Sequence, residues 1–367
     1  MSIPIVDLAP WYAQQPSDAT ERMQVAQQLS EAFESTGFAV RALACIDSGS
    51  GRLQHVNCLH CHWCSRKSLS WEQVVIGHGI DEAIGRTCWE RAQEFHRLPL
   101  EEKLLLPDYR AQGGENVAQL LGVMDQKPDM CDKLSIKAFR NGKQNPTRIW
   151  GSALPAVEGL DAAIDRHCAS LQSLYKDLLR MGEIALGTEP GFFDAFHGDE
   201  SSALQISNYF QNLAPDEHRF GAHTDSAMLS ILRTDVAGLE VRLKGAWVPV
   251  PVVEGAFVVN VGRLLGRWTN DKWKAAVHRV SDNAPSVRIT LAYFTQPNPD
   301  ALIIPLASCG QPKYDPVVFS EFMHQRDLLH IPGRGSSVPK EFWEADLSAA
   351  EIEAELAAAA AARGAKL

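Results

Sequence analysis

From about residue 202 onward, short apolar runs alternate with turn residues at fairly regular intervals. The runs are 204–210, 228–234, 239–243, 247–252, 256–262, 277–281 and 288–294. Many short strands punctuated by turns bury two faces only by folding onto each other, which predicts a β-sandwich or jelly roll. The preceding half carries a different period. Met23, Ala26, Leu29 and Phe33 recur at helical spacing until Gly37 stops the helix, and 79–97 reads as a second helix. Residues 156–186 read as a long one, with a stripe of Leu160, Ile164, Leu171, Leu174, Leu178, Met181 and Ile184. The expected fold is therefore mainly β with flanking α. A helical or mixed region over 1–200 wraps a core over 201–310, and a C-terminal helical region with an alanine-rich tail follows over 311–367.

One segment breaks this pattern. Phe38-Ala39-Val40 begins a strand that reads straight into Val75-Ile76-Gly77-His78, and 41–74 interrupts it. The insert carries Cys45, Cys58, Cys61 and Cys64, half of the eight cysteines. Overlapping Cys-x-x-Cys pairs within seven residues lack the second, separated knuckle of a structural zinc site, so no dedicated metal site is expected there. An insert inside a strand is unlike a tolerated loop insertion. Retained non-coding sequence and a genuine added element are both open readings; a spliced transcript lacking these codons would end the second.

Composition excludes several classes of function. The net charge is -10 with no lysine/arginine block, so no nucleic-acid partner is expected. No apolar run is long enough to span a bilayer, and 1–12 lacks the pattern of a secretory signal. The expected compartment is the cytoplasm, with reduced thiols. The end Ala365-Lys366-Leu367 nearly matches a Ser-Lys-Leu peroxisomal address and supplies the alternative.

The chemistry concentrates in the β half. In His223-Thr224-Asp225, a strand would place the imidazole and the carboxylate on one face. His278, within a later strand-like run, is the candidate third ligand. Two histidines and one carboxylate on one side of a metal leave three open positions. That suits Fe(II), whereas zinc closes a tetrahedron. A core histidine hydrogen-bonded to a nearby carboxylate has the same local pattern, so this pair alone decides little. Downstream, Arg288 and Thr290 share a strand face; a guanidinium fork with an adjacent hydroxyl grips a carboxylate. Taken alone, a salt-bridged surface arginine reads equally well.

The order of motifs, however, resembles the isopenicillin N synthase-like family of 2-oxoglutarate/Fe(II) oxygenases. The series runs from Ile3-Pro4-Ile5-Val6-Asp7-Leu8 through Gly77-His78-Gly79-Ile80, Phe95 to Lys103, and Asn208-Tyr209-Phe210. It continues through His223-Thr224-Asp225, Gly238-Leu239-Glu240-Val241, Asn260-Val261-Gly262, Arg267-Trp268-Thr269-Asn270, His278-Arg279-Val280 and Arg288-Ile289-Thr290. The resemblance implies a double-stranded β-helix core and His223, Asp225 and His278 as iron ligands. It implies Arg288 and Thr290 as 2-oxoglutarate ligands, with Asn208 touching the same cosubstrate. Fe(II), 2-oxoglutarate and O2, with ascorbate as an optional reductant, would oxidise a small organic molecule, by default hydroxylating it, and release succinate and CO2. Three positions depart from the pattern. Phe210 replaces a frequent tyrosine, Thr290 replaces a serine, and Arg263 stands where an aspartate, expected to cap a helix, is usual. Family oxidases that do not use 2-oxoglutarate, and a non-catalytic jelly-roll binding protein, are the alternatives. Substrate contacts in such a fold come from variable loops, so the sequence names no substrate and no oligomeric state.

Overall fold

The computed structural model describes residues 6–12, 19–40, 78–103, 118–121, 131–137, 139–140, 143–144, 157–198, 202–209, 219–234, 236–253, 255–281 and 288–329. The segment 41–74, Phe210 and the terminal Ala365-Lys366-Leu367 lie outside the described residues, so the expectations placed on them do too.

The helices form where helical spacing predicts them. α1 (Ala19–Ser35) buries Val25, Ala26, Leu29, Ala32 and Phe33 on one face. α2 (Glu82–Arg97) starts at Asp81, whose carboxylate accepts from the Ala83 amide at 2.9 Å, satisfying a donor that the first helical turn leaves unpaired. α3 is the short Leu100–Lys103. α4 (Leu160–Leu186) ends on Gly187 in the left-handed conformation, with φ of 66°, a cap that favours glycine. Two members of the expected stripes turn outward: Met23 is 58% and Ile184 42% exposed. Each sits at the margin of a buried arc set by its neighbours.

The strands are β1 (Phe38–Val40), β2 (Ala118–Leu121), β3 (Cys131–Lys137), β4 (Phe139–Arg140), β5 (Lys143–Gln144), β6 (Ala203–Tyr209), β7 (Phe220–His223), β8 (Leu229–Thr234), β9 (Leu239–Leu243) and β10 (Ala246–Pro249). They continue with β11 (Val258–Val261), β12 (His278–Val280), β13 (Arg288–Phe294), β14 (Leu302–Ile303) and β15 (Val317–Val318). A further short helix, α5 (Arg263–Trp268), follows β11, and α6 (Phe319–Leu329) follows β15. Seven strands form a major sheet in the order β1-β11-β8-β13-β6-β3-β2, and four form a minor sheet, β10-β9-β12-β7. Adjacent strands in both run antiparallel.

Alternation along the major-sheet strands sorts their side chains to two faces. Leu134, Ile136, Leu204, Ile206, Leu229, Ile231, Val259, Ile289, Leu291 and Tyr293 join the core made with α1, α2 and α4. The other face turns to the minor sheet, where Leu232, Val258 and Ala292 pack with Leu239, Val241 and Leu243. This is the double-layered jelly roll expected from the sequence. The N-terminal region is more than a wrapping, because β1, β2 and β3 all belong to the major sheet. β1 is one of its two edge strands, and the other strands pair without it.

A buried charge cluster ties the helices to the sheet. Lys103 Nζ donates to Asp132 at 2.9 Å and to the His96 carbonyl at 2.6 Å, and His96 Nδ1 lies 3.0 Å from the same carboxylate. Burial works to raise the Asp132 carboxyl, but His96 and Lys103 outweigh it and hold it below its ordinary value. A depressed carboxylate stabilises the fold above its unfolded pKa, and that contribution is lost as pH falls through the folded value. Asp132→Ala would strand the Lys103 charge, so urea unfolding near neutral pH should show a loss of about 3 kcal/mol. The loss should shrink as the solution is acidified through the folded value, where wild-type Asp132 itself takes up a proton.

Candidate metal and cosubstrate site

His223 ends β7 and His278 begins β12, and the two are direct cross-strand partners. Adjacent antiparallel strands bring their imidazoles together, with ring centroids 4.2 Å apart. The sequence expectation that Asp225 joins them by strand alternation needs correction. β7 stops at His223, and Thr224 to Ser226 are irregular. From this irregular segment Asp225 still faces both rings. Ligand atoms of His223, Asp225 and His278 all lie within 4.8 Å of one another, the one such group of metal-binding side chains among the described residues.

The orientation of each group is set by a neighbour. His223 Nδ1 is 2.9 Å from the Gly221 carbonyl, and His278 Nδ1 is 3.1 Å from the Ala276 carbonyl. A carbonyl only accepts, so each Nδ1 carries the proton and each Nε2 presents a lone pair. Those Nε2 atoms face Asp225, at 3.6 Å from Oδ1 for His223 and 3.7 Å from Oδ2 for His278. Ser230 Oγ and Asn260 Nδ2 donate to Asp225 Oδ2 at 2.6 and 2.8 Å. Ser230 and Asn260 are themselves cross-strand partners on β8 and β11, so the major sheet holds the carboxylate that faces the minor sheet's histidines.

Burial holds the His223 imidazolium down, to about 3, and the neighbouring His278 adds to this, so the ring is neutral at physiological pH. Burial pushes the Asp225 carboxyl the other way, yet the two histidines and the donors from Asn260 and Ser230 keep it below its usual value. The result is a neutral His223 imidazole beside an ionised Asp225 carboxylate, the forms in which such groups bind a metal.

The loop is locked from behind. The Arg263 amide donates to the Asp225 carbonyl at 2.7 Å, and Arg263 Nη2 donates to Ser226 Oγ at 3.1 Å. A Cβ at Gly262 would lie 2.0 Å from the Ala227 carbonyl, so only glycine admits this approach. Arg263 was expected to bear on local stability by replacing a helix cap. α5 has no side-chain cap, but Arg263 holds the ligand-bearing loop.

Arg288 and Thr290 lie on β13 on the inner face of the major sheet. Arg288 is 1% exposed, yet among the described residues its Nη1 and Nη2 have no hydrogen-bond partner, nor does Thr290 Oγ1. Arg288 Nε donates to the Val236 carbonyl at 3.3 Å, and the Tyr209 phenol lies beside the guanidinium. Burial opposes the guanidinium charge and Arg219 repels it, while Tyr209, whose ring lies 5.0 Å from the guanidinium carbon, partly offsets this. A buried fork and hydroxyl without partners is a cradle short of an anion.

Asn208 does not join this corner. The β6–β13 register pairs Tyr209 with Arg288, Ser207 with Thr290, and Asn208 with Ile289. Paired residues share a face, so Asn208 lies on the helix-facing side, opposite Asp132. Tyr209, Asn260 and Ser230 are residues that sequence reasoning left without a role. Asn260 had a signal, the motif Asn260-Val261-Gly262. The place of Tyr209 depends on a one-residue register that a motif cannot show.

Comparison with known proteins agrees with this geometry. The family model for the 2OG-Fe(II) oxygenase superfamily matches residues 201–297. Homoarginine-6-hydroxylase 2-ODD-C23.1 of Arabidopsis thaliana is 30% identical, over 65% of this chain and 76% of the relative. The 2-oxoglutarate-Fe(II) type oxidoreductase hxnY of Emericella nidulans is 26% identical, covering 97% of both chains. Among solved structures, a 2OG-Fe(II) oxygenase family protein from Caulobacter crescentus superposes with a TM-score of 0.67 at 22% identity, over 88% of this chain and 98% of that one.

If Asn260 and Ser230 hold the carboxylate, Asn260→Ala should lower the affinity for Co(II), a spectroscopic stand-in for Fe(II), by roughly 10- to 100-fold. Asp225→Ala should abolish specific binding. Absorbance titration measures both.

Proposed function

Because this chain belongs to the 2OG-Fe(II) oxygenase superfamily, we propose that His223, Asp225 and His278 hold Fe(II) while Arg288 and Thr290 anchor 2-oxoglutarate, and that the enzyme oxidises a small organic molecule with O2. Bound iron would supply the oxidising chemistry, coupling conversion of 2-oxoglutarate to succinate and CO2 with oxidation of the substrate.

The observation that carries the reading is the unpartnered Arg288 fork. His223 and His278 would hold the metal through Nε2 and Asp225 through its carboxylate, and three protein ligands would leave room for a keto acid and O2. A dicarboxylic keto acid that chelates there has its far carboxylate left to place. Arg288 Nη1 and Nη2 and Thr290 Oγ1 offer donors for it. An enzyme that dispensed with the keto acid would bury this cation for nothing, which favours the 2-oxoglutarate reading over an oxidase without it. The Tyr209 phenol, raised by burial to about 12, stays neutral beside Arg288 and competes for no proton. Tyr209, Phe220, Val280 and Cys131 form a small buried apolar cluster beside the site, which keeps water from the reacting atoms.

With Fe(II) and ascorbate present, the protein should convert 2-oxoglutarate to succinate, and substrate should raise the rate. Arg288→Met should raise KM for 2-oxoglutarate by roughly a hundredfold, the cost of about 3 kcal/mol of charge-assisted bonding. Arg288→Lys should recover part of it. Succinate assays over a 2-oxoglutarate series give these values, and an unchanged KM in Arg288→Met would remove Arg288 from the cosubstrate site.

A further inference from the structure

On β3, the inner-face position opposite Ser207 is Lys133, and Ser207 in turn lies opposite Thr290. Lys133 and the cosubstrate hydroxyl therefore stand in one row across three strands. The lysine reaches toward the minor sheet: its Nζ lies 3.9 Å from the centre of the Phe220 ring. That ring meets His223 edge to face, with centroids 4.4 Å apart and planes at 82°. The ammonium is thus held by a cation–π contact just behind a metal-ligand imidazole. Lys133 is half-buried, and among the described residues it has no carboxylate partner.

Charge balance makes this position informative. A divalent metal, the Asp225 carboxylate, a dianionic keto acid and the Arg288 guanidinium sum to neutrality. Lys133 then stands as an excess positive charge in a partly desolvated site. Arg219, 1% exposed and next to Phe220 in the chain, is a further cation here, though it has contacts of its own. An ammonium held on a ring without a counterion is costly unless an anion arrives with the substrate.

We propose that Lys133 binds an anionic group of the primary substrate, most simply a carboxylate, and that the enzyme acts on small organic acids. This rests on the oxygenase reading above. The lysine would hold the acid end of the molecule beside the Phe220 ring, and a C–H bond elsewhere in the substrate would face the metal. Cationic compounds would be repelled by the same charge.

The test uses the full-length protein with Fe(II), 2-oxoglutarate and O2. Phenylacetate and hexanoate are compared with phenylacetamide, hexanamide and phenethylamine for stimulation of 2-oxoglutarate consumption and for KM. At least one acid should outperform its amide by about tenfold or more in wild type, as expected for a half-buried ion pair. Lys133→Met should lose that preference mainly through KM, and Lys133→Arg should retain it. Lys133→Glu should shift preference toward phenethylamine, a gain that destabilisation cannot imitate. Equal response to acids and amides in wild type, or an acid preference surviving in Lys133→Met, would overturn the role of Lys133 while leaving the oxygenase reading intact. A wild type that consumes no 2-oxoglutarate under any of these conditions would overturn that reading and this inference together.

Discussion

The site depends on one buried anion. Asp225 is 8% exposed and lies on an irregular segment, and a buried carboxylate is costly unless its charge is answered. Ser230 and Asn260 answer it from the major sheet, and the imidazoles of His223 and His278 face it from the minor sheet. Both sheets therefore bear on this carboxylate at the point where they meet. The Gly262 backbone and the Arg263 amide and guanidinium hold the segment from behind. Donors fixed this way need little reorganisation to accept an ion, which is the general route to a preorganised metal site.

The second constraint is electrostatic. A cation as buried as Arg288, with both terminal nitrogens lacking a hydrogen-bond partner among the described residues, sits opposite the logic of stable cores, where charges are paired. The Asp132–Lys103–His96 cluster shows the contrasting solution, since there each charge finds its partner within the fold. The difference separates a charge used for structure from one kept for a ligand. Lys133 falls on the ligand side of that division: its ammonium rests on a ring and not on a carboxylate.

Much of this was legible in the sequence. The seven apolar runs after residue 202 correspond to β6, β8, β9, β10, β11, β12 and β13, because short strands, several of them buried along their whole length, leave compact apolar runs bounded by turn residues. His223, Asp225, His278, Arg288 and Thr290 could be named because the order of motifs around them resembles the oxygenase family; the spacings alone decided little. What stayed hidden depends on tertiary geometry. The end of β7 before Asp225, the donors from Ser230 and Asn260, and the facing of Tyr209 in place of Asn208 all require the pairing register. That register is set by packing across two sheets. The contribution of β1, β2 and β3 to the major sheet was hidden for a similar reason, since three short strands among helices leave little periodic signal.

If one pocket holds both the metal and the keto acid, through His223, Asp225, His278 and Arg288, the two should form a single chromophore. Anaerobic addition of Fe(II) and 2-oxoglutarate to the purified protein tests this directly, because a keto acid chelated to Fe(II) gives a visible charge-transfer absorption. The band should saturate with one iron per chain, disappear in Asp225→Ala, and require far more 2-oxoglutarate in Arg288→Met. A wild-type protein that binds Fe(II) but shows no such band at saturating 2-oxoglutarate would contradict the shared pocket.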